Sequence, residues 1–297
     1  SSFTGLPESM GQLAALTTLD LSGCDSLTGL PEWMGQLAAL TTLYLSDCSP
    51  FTGLPESMGQ LAALTTLDLS HCGSLTGLPE SMRQLAALTM LDLSTCHSLT
   101  GLPESMGQLA ALSTLDLSSC DSLTGLPESI GQLLALTTLD LSDCGSLTAL
   151  PESMGQLAAL TNLFLSQCYS LCQLPTSFPE LSDELKLDTD DCRLLFPPQP
   201  VVDLGMLAIK RFLYHYEHHG GTSLKRDRLV LLGDGGTGKT MAMALRLRAD
   251  RRTGLDKLQT ELCKKLNAWS PADMQIWLRE LDSELWCRQP ECYWCPE

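Results

Sequence analysis

Leucine recurs along most of this chain in a pattern with a period of 24 residues. The phrase LxxLxxLxLSxC begins at Leu13 and ends at Cys24, and close copies of it follow through Cys168. Its second half alternates apolar and polar residues, which predicts a short strand with leucines on one face and Thr18 and Asp20 on the other. A strand that returns at a fixed spacing predicts a solenoid, in which stacked turns bury an apolar face that one turn cannot bury alone.

The segment between two predicted strands has its own repeated pattern. SLTGLPESMGQLAAL begins with turn residues, and its proline interrupts sheet pairing and leads into a short helical or 3-10 stretch. Because every turn places its strand at the same register, we expect one parallel sheet on the concave face. Seven good copies run from Leu16 to about Cys168, and a degraded eighth strand is expected at residues 185–187.

The phrase fits the leucine-rich repeat pattern, and its longer form resembles LxxLxxLxLSGCxSLxxLPxSIGxL, the repeat of plant-type immune receptors. The predicted fold class is therefore α/β, with a leucine-rich repeat solenoid over residues 1–180 and parallel strands on its concave face. The resemblance implies a scaffold that presents a surface to a protein partner. In those receptors a nucleotide-binding domain precedes the repeats, whereas here the order is reversed.

One exposed position of the predicted strands holds the candidate partner-binding residues. They form a ladder with one side chain per turn: Asp20, Tyr44, Asp68, Asp92, Asp116, Asp140 and Phe164. Neighbouring side chains in such a ladder lie about 5 Å apart, and each like-charged pair repels by about 1 kcal/mol in water. Two interpretations stay open. The ladder is either a docking stripe for a basic partner with aromatic anchors, or one aspartate copied with the repeats without selection for binding.

Charge and cysteine content narrow the classes of partner and compartment. Residues 1–180 hold 17 acidic residues against one basic residue, Arg83, so we expect no nucleic-acid partner. No apolar run is long enough to span a membrane. Seven cysteines occupy one inward position, and their parallel Cβ vectors suit disulfides poorly, so we expect reduced thiols. Reduced thiols favour a cytoplasmic location.

A second pattern follows the solenoid. The apolar run at residues 229–232 predicts a strand, and the following residues match GxxxxGK[ST] and lead into TMAMALRLRA, which has helical character. Strand, glycine-rich loop and helix are the context in which backbone N–H groups cradle phosphates. The candidate nucleotide-binding residues of this motif are Gly233, Asp234, Gly235, Gly236, Thr237, Gly238, Lys239 and Thr240. Lys239 is expected to reach the β- and γ-phosphates, and the Thr240 hydroxyl to bind Mg²⁺.

The order of repeats, cap and phosphate loop resembles the ROCO family, in which leucine-rich repeats lead into a Ras-like Roc GTPase domain. The joint CRLLFPPQPVVDLGMLAIKRFLYHYE also looks like the cap of that family. The resemblance implies a degraded last repeat, cap and linker helix over residues 181–222, and an incomplete Roc-like P-loop segment over residues 223–297. It also implies GTP and Mg²⁺ as cofactors, with Thr253 as the switch threonine.

Beyond the loop the chain departs from that family. At the family's DxAGQxEYY segment, alignment on Gln289 puts Leu285 at the aspartate position and Arg288 at the glycine position. No guanine-reading NKxD follows, so we interpret the segment as truncated or decayed and assign no catalytic residue. An alternative function stays open, namely a pure protein-recognition module of immune-receptor type without nucleotide function.

Overall fold

The computed structural model describes residues 5–197, 199–215, 229–233 and 240–244. Contacts between residues divide the chain into two compact units, residues 1–194 and residues 195–297. The first unit is a solenoid in which each turn contributes one short strand and one 3-10 helix. Among the described residues, no helix combines the length and the apolar character needed to cross a membrane.

The strands of the solenoid form one eight-stranded parallel sheet in chain order. They are β1 (Thr18–Asp20), β2 (Thr42–Tyr44), β3 (Thr66–Asp68), β4 (Met90–Asp92), β5 (Thr114–Asp116), β6 (Thr138–Asp140), β7 (Asn162–Phe164) and β8 (Lys186–Asp188). Residues exactly one period apart are partners, as Leu43 opposes Leu67 and Leu67 opposes Leu91. The predicted parallel sheet is confirmed. It includes the eighth strand, so the solenoid unit extends past residue 180 to Leu194.

A 3-10 helix occupies the opposite, convex side of each turn. These helices are Glu8–Gln12, Glu32–Gln36, Glu56–Gln60, Glu80–Gln84, Glu104–Gln108, Glu128–Gln132, Glu152–Gln156 and Phe178–Glu180. An extended proline precedes each of the first seven; for example, the Met58 N–H donates to the Pro55 carbonyl at 3.1 Å. The proline ring fixes φ and supplies no N–H for sheet pairing, so it separates strand from helix.

Leucines from both sides of each turn fill the interior. In the third turn Leu61, Leu64, Leu67 and Leu69 are fully buried, together with Met58. Burial of one such side chain stabilises the fold by about 1.5–3 kcal/mol. Because the same leucine positions are buried from the second turn to the seventh, with Ile130 replacing the methionine in the sixth, the core is a continuous apolar column, and each turn buries the apolar surface of its neighbours.

Adjacent 3-10 helices on the convex side approach one another closely at a repeated glycine. A Cβ atom added to Gly107 would lie 2.4 Å from the Ser129 carbonyl oxygen, and one added to Gly131 would lie 2.4 Å from that of Ser153. A glycine at this position therefore allows the spacing of the turns. The fourth turn has the exposed residue Arg83 instead, so a Cβ atom is accommodated there.

The chain leaves each strand through a residue in the left-handed region. Gly23 has φ of 68°, and φ lies between 58° and 62° at seven non-glycine residues: Asp47, His71, Thr95, Ser119, Asp143, Gln167 and Asp191. This conformation costs an L-residue about 1–2 kcal/mol. The recurrence of the bend shows that solenoid geometry, rather than local residue preference, imposes it. It was not predicted from the sequence.

The second unit contains two helices and a hairpin among its described residues. The elements are α1 (Gln199–Val202), α2 (Met206–His215), β9 (Leu229–Gly233) and β10 (Thr240–Ala244). Gly205, with φ of 89°, immediately precedes α2, and the rings of Phe196 and Phe212 lie 5.5 Å apart. The strands β9 and β10 pair in antiparallel fashion, with Thr240 opposite Gly233.

Candidate functional site

The concave face of the sheet brings the predicted partner-binding residues together. Tyr44, Asp68, Asp92, Asp116, Asp140 and Phe164 occupy consecutive in-register positions on β2 to β7, and Asp20 precedes them on β1. We call these seven residues the concave ladder. The central residue of each strand is a leucine that points into the core, so the ladder residue beside it points outward.

A local hydrogen bond fixes the orientation of each ladder carboxylate. Oδ1 of Asp92 accepts the backbone N–H of Ser94 at 2.9 Å and the Ser94 hydroxyl at 2.7 Å. Asp68 and Asp116 accept the same pair of bonds from the serine two residues later. Asx turns of this kind stabilise the bend that follows the strand. The aspartates therefore have a structural role at the strand end whether or not they bind a partner.

The environment of the ladder carboxylates changes along the solenoid. Burial raises the pKa of Asp92, and the neighbouring charges of Asp116 and Asp68 raise it further, against the two bonds from Ser94. At the exposed residue Asp20, bonds from Ser22 hold the pKa below its usual value. Desolvation disfavours the charged form of a carboxyl, whereas hydrogen bonds to the carboxylate favour it. Asp92 is thus a less favourable position for a negative charge than Asp20.

Within the described residues no ion pair involves a ladder carboxylate, and the one cation on these strands is Lys186 on β8. The ion pair among these residues joins His97 Nδ1 and Asp121 Oδ2 at 3.0 Å. Its two members lie in the loops that follow β4 and β5, not on the strands themselves. Part-buried carboxylates without cationic neighbours lose hydration without recovering it from an ion pair. A partner that supplies positive charge would offset this loss.

Three apolar side chains interrupt the polar concave face. Tyr44 on β2 is 36% exposed, Met90 on β4 is 43% exposed, and Phe164 on β7 is half-buried. Tyr44 and Phe164 replace aspartate in the ladder, whereas Met90 replaces the threonine found at the start of most strands. Exposed aromatic side chains supply large contact areas and are enriched at protein interfaces.

The structure adds one residue to the ladder that the sequence interpretation missed. Asp188 on β8 lies opposite Phe164, and its Oδ1 accepts the Asp190 N–H at 3.0 Å. The same strand brings Lys186 onto the concave face, where it opposes Asn162. Both positions lie 24 residues after their partners on β7, so counting the period would have identified them. The leucine pattern around them is degraded, and it gives no such signal.

The inward cysteines form a second ladder between turns. From Cys48 onward each thiol donates to the carbonyl of a leucine 27 residues earlier, as Cys96 does to Leu69 at 3.2 Å and Cys144 to Leu117 at 3.1 Å. Burial raises the pKa of Cys96 and of Cys144 to about 12. All nine described cysteines are free, and Cys192 continues the ladder as an eighth member that we had not assigned to it. The buried thiols act as packing groups.

The candidate nucleotide site lies mostly outside the described residues. Residues 234–239, including Lys239, and the proposed switch residue Thr253 fall in this category. The strand expected at residues 229–232 is present as β9, but the helix expected from Thr240 onward is wrong for residues 240–244, which form β10. The pairing with β9 satisfies the backbone N–H and C=O groups on one edge of this segment. The described segment thus does not provide the helix start that a phosphate loop uses.

Comparison with protein families recognises the repeats. Residues 38–98 match one family described as leucine rich repeat, and residues 15–37, 111–133 and 135–157 match a second family of the same description. No curated protein matches the chain in sequence. The matched segments lie within the solenoid.

Solved structures share the solenoid fold. The leucine-rich repeat domain of the type III effector XCV3220 (XopL) is 26% identical, with a TM-score of 0.50 over 63% of this chain and 73% of that chain. The receptor kinase ectodomain GASSHO1/SCHENGEN3 from Arabidopsis thaliana is 26% identical, with a TM-score of 0.44 over 64% of this chain and 26% of that chain. A Leptospira interrogans leucine-rich repeat protein, LIC12759, is 24% identical, with a TM-score of 0.35 over 66% and 71% of the two chains. The two family matches, together with the likeness to the XopL domain, show that the solenoid of this protein is built of leucine-rich repeats.

Proposed function

We propose that this protein is a binding scaffold whose concave face recognises a basic segment of a protein partner. The observation that carries the proposal is the concave ladder, in which consecutive carboxylates lie in register and none of them forms an ion pair within the described residues. Their orientation is set before binding, because Oδ1 of each of Asp68, Asp92 and Asp116 is held by a serine. Preorganised groups lose little freedom on association.

The acidic character of the solenoid favours a cationic partner. Residues 1–180 carry 17 acidic side chains and one basic side chain. A field of this sign accelerates encounters with a positively charged partner, and the effect weakens as salt shortens the screening length. Because burial raises the pKa of Asp92, an ion pair with a partner would favour the charged form of this carboxyl.

A charge-matched pair of variants tests the proposal. Asp92→Asn/Asp116→Asn removes two charges from the ladder and keeps an oxygen that can accept the serine bonds. Asp47→Asn/Asp143→Asn removes two charges from the bends after the strands, where asparagine tolerates the left-handed conformation. In a pulldown at low and high salt, we expect the first variant to lose partners that the second retains, most clearly at low salt. Equal retention by both variants would contradict a role for the ladder in binding.

The reduced thiols support a proposal about compartment. All nine described cysteines are free, and the ladder thiols donate hydrogen bonds that a disulfide would remove. We propose that the protein works in a reducing environment such as the cytoplasm. Fractionation of cells and counting of alkylated thiols in the isolated protein test this; recovery in an oxidising compartment would contradict it.

A second proposed function concerns the segment at residues 233–240. Its GxxxxGK[ST] pattern after the strand β9, and the order of repeats before phosphate loop, support descent from a Roc-like GTP-binding domain with Thr240 as the Mg²⁺ ligand. The strand β10 counts against a working site, because a phosphate loop leads into a helix. We therefore expect weak or no binding of Mg²⁺-GTP or Mg²⁺-ATP by calorimetry. A submicromolar affinity that Lys239→Ala removes would overturn this expectation and favour a nucleotide-regulated scaffold.

A further inference from the structure

The two aromatic residues of the concave ladder mark the ends of its longest acidic stretch. Tyr44 is on β2 and Phe164 is on β7, at the same position of their strands. Five spacings between neighbouring strands separate them, and at about 4.8 Å each they amount to about 24 Å. Both side chains reach the surface, since Tyr44 is 36% exposed and Phe164 is half-buried.

Four carboxylates fill the interval between these two residues. One aspartate stands on each of the intervening strands: Asp68, Asp92, Asp116 and Asp140. All four accept the N–H of the serine two residues later through Oδ1, at 2.8–2.9 Å. The stripe therefore consists of one aromatic residue, four carboxylates and a second aromatic residue, at the same position of six consecutive strands.

The length of this stripe determines which kind of peptide matches it. An extended chain advances about 3.3 Å per residue, so about seven residues span the distance between Tyr44 and Phe164. Lysine and arginine have long side chains that reach carboxylates at several distances along such a chain. Bulky apolar side chains, in contrast, must sit close to the aromatic rings to exclude water. The distance between Tyr44 and Phe164 thus determines the spacing of the apolar residues in a matching peptide, and the carboxylates determine that the residues between them are basic.

We propose that the concave face binds an extended basic segment with two bulky apolar residues about seven positions apart and lysines or arginines between them. This inference rests on the proposed function and specifies its ligand. The segment crosses the strands, places one apolar residue against Tyr44 and the other against Phe164, and pairs its basic residues with the carboxylates between them. Charge complementarity selects this occupant, because a neutral or acidic segment would leave the four carboxylates unpaired.

The repeat itself offers variants that test the aromatic anchors without threatening the fold. The four turns between Tyr44 and Phe164 carry aspartate at the equivalent position. The variant Tyr44→Asp/Phe164→Asp therefore introduces the residue that the other turns of the solenoid have there. The double variant makes the stripe more acidic by two charges. If charge alone determined binding, this variant would bind basic peptides more tightly, whereas loss of the anchors predicts weaker binding.

The experiment uses the full chain and synthetic peptides with acetylated and amidated ends. Each peptide carries two leucines at a separation of five, seven or nine residues, with three lysines between them and serine elsewhere. We expect fluorescence anisotropy to show the tightest binding at a separation of seven, by about tenfold, which corresponds to the partial loss of one buried apolar contact. Tyr44→Asp/Phe164→Asp should abolish the preference and weaken binding of the seven-residue peptide.

The controls separate this inference from the proposed function. A peptide with both leucines replaced by serine should bind at least about tenfold more weakly than its parent. Equal binding at all three separations, lost in Asp92→Asn/Asp116→Asn, would overturn the anchor spacing but leave an acidic binding face. Tighter binding by Tyr44→Asp/Phe164→Asp would overturn the anchors in the same way. Absence of binding by every peptide would overturn the inference, while the pulldown with natural partners decides the proposed function separately.

Discussion

On the convex side of the solenoid a glycine recurs at one position in six of the seven helices of the form ExxxQ, whereas on the concave side apolar residues replace the repeated residue at three positions. The convex glycines face a carbonyl of the next turn at distances that leave no space for a Cβ atom. The concave residues Tyr44, Met90 and Phe164 project from the sheet and meet no such constraint. A residue that is the same in every repeat is therefore explained by packing between turns. A residue that differs from the repeat on the exposed concave face is better evidence for a binding site.

The largest effect is expected from a methyl group added on the convex side. Gly107→Ala would place Cβ 2.4 Å from the Ser129 carbonyl oxygen, so the neighbouring turn has to shift. Overpacking of this kind costs about 3 kcal/mol, measured as a lower midpoint of urea unfolding. Gly101→Ala is the matched control, because a Cβ there has nothing within 4 Å. Equal midpoints for the two variants would refute the packing constraint.

The convex comparison can be sharpened at the one helix that lacks the glycine. Arg83 already has a Cβ atom at this position, so its turn has accommodated the crowding. We expect Arg83→Gly to change the unfolding midpoint by less than Gly107→Ala does. A larger change would mean that the fourth turn is strained as well.

The thiols of the shared interior provide the next largest test. Burial raises the pKa of Cys96 from 9.0 to about 12, so the folded thiol stays protonated where the unfolded one ionises. The stability that this thiol contributes is complete below pH 9 and is lost as the pH rises to 12. In that window each thiol lowers the free energy of unfolding by about 1.4 kcal/mol per pH unit. Urea unfolding under reducing conditions at pH 8–11 should therefore show a shallower decline for Cys96→Ser; an identical decline would contradict it.

A smaller effect of opposite sign is expected on the concave face. Burial raises the pKa of Asp92 above its unfolded value, so ionised Asp92 lowers stability at neutral pH. Asp92→Asn should raise the melting temperature at pH 7 by the equivalent of less than about 1 kcal/mol, and the gain should disappear as the pH falls below about 3. Asp20→Asn should give no gain, because hydrogen bonds lower the pKa of Asp20. A gain at both positions would show that asparagine, rather than lost charge, stabilises the turn.

The smallest change in stability is expected for substitutions of Tyr44 and Phe164, the two residues that we propose as anchors for the bound peptide. Tyr44→Asp and Phe164→Asp replace exposed or half-buried side chains with the residue of the other turns, so each should shift the free energy of unfolding by less than about 0.5 kcal/mol. Thermal unfolding of both variants beside the wild type tests this. A loss of several kcal/mol would make these aromatics structural residues and weaken their use as evidence for a binding face.

The repeat, the parallel sheet and the inward or outward direction of the strand residues all follow from the amino-acid sequence alone. A period of 24 residues and the alternation of leucine with threonine and aspartate predict them without any detail of packing. The same two features predict that the residues of the concave ladder lie at one position of successive strands. The helical character assigned to residues 240–244 failed, because residue preference in a short segment yields to the pairing available to its backbone.

Only the tertiary structure decided how neighbouring turns meet. The approach of Gly107 to Ser129, the bond from Cys96 to the Leu69 carbonyl and the left-handed bend at Thr95 all depend on the separation and curvature of stacked turns. The burial that sets the pKa of Asp92 depends on them as well. Each of these features depends on contacts between residues of adjacent turns. A periodic pattern predicts which residues are neighbours, but it does not predict the distance between them. That distance is fixed by the packing of every turn against the next.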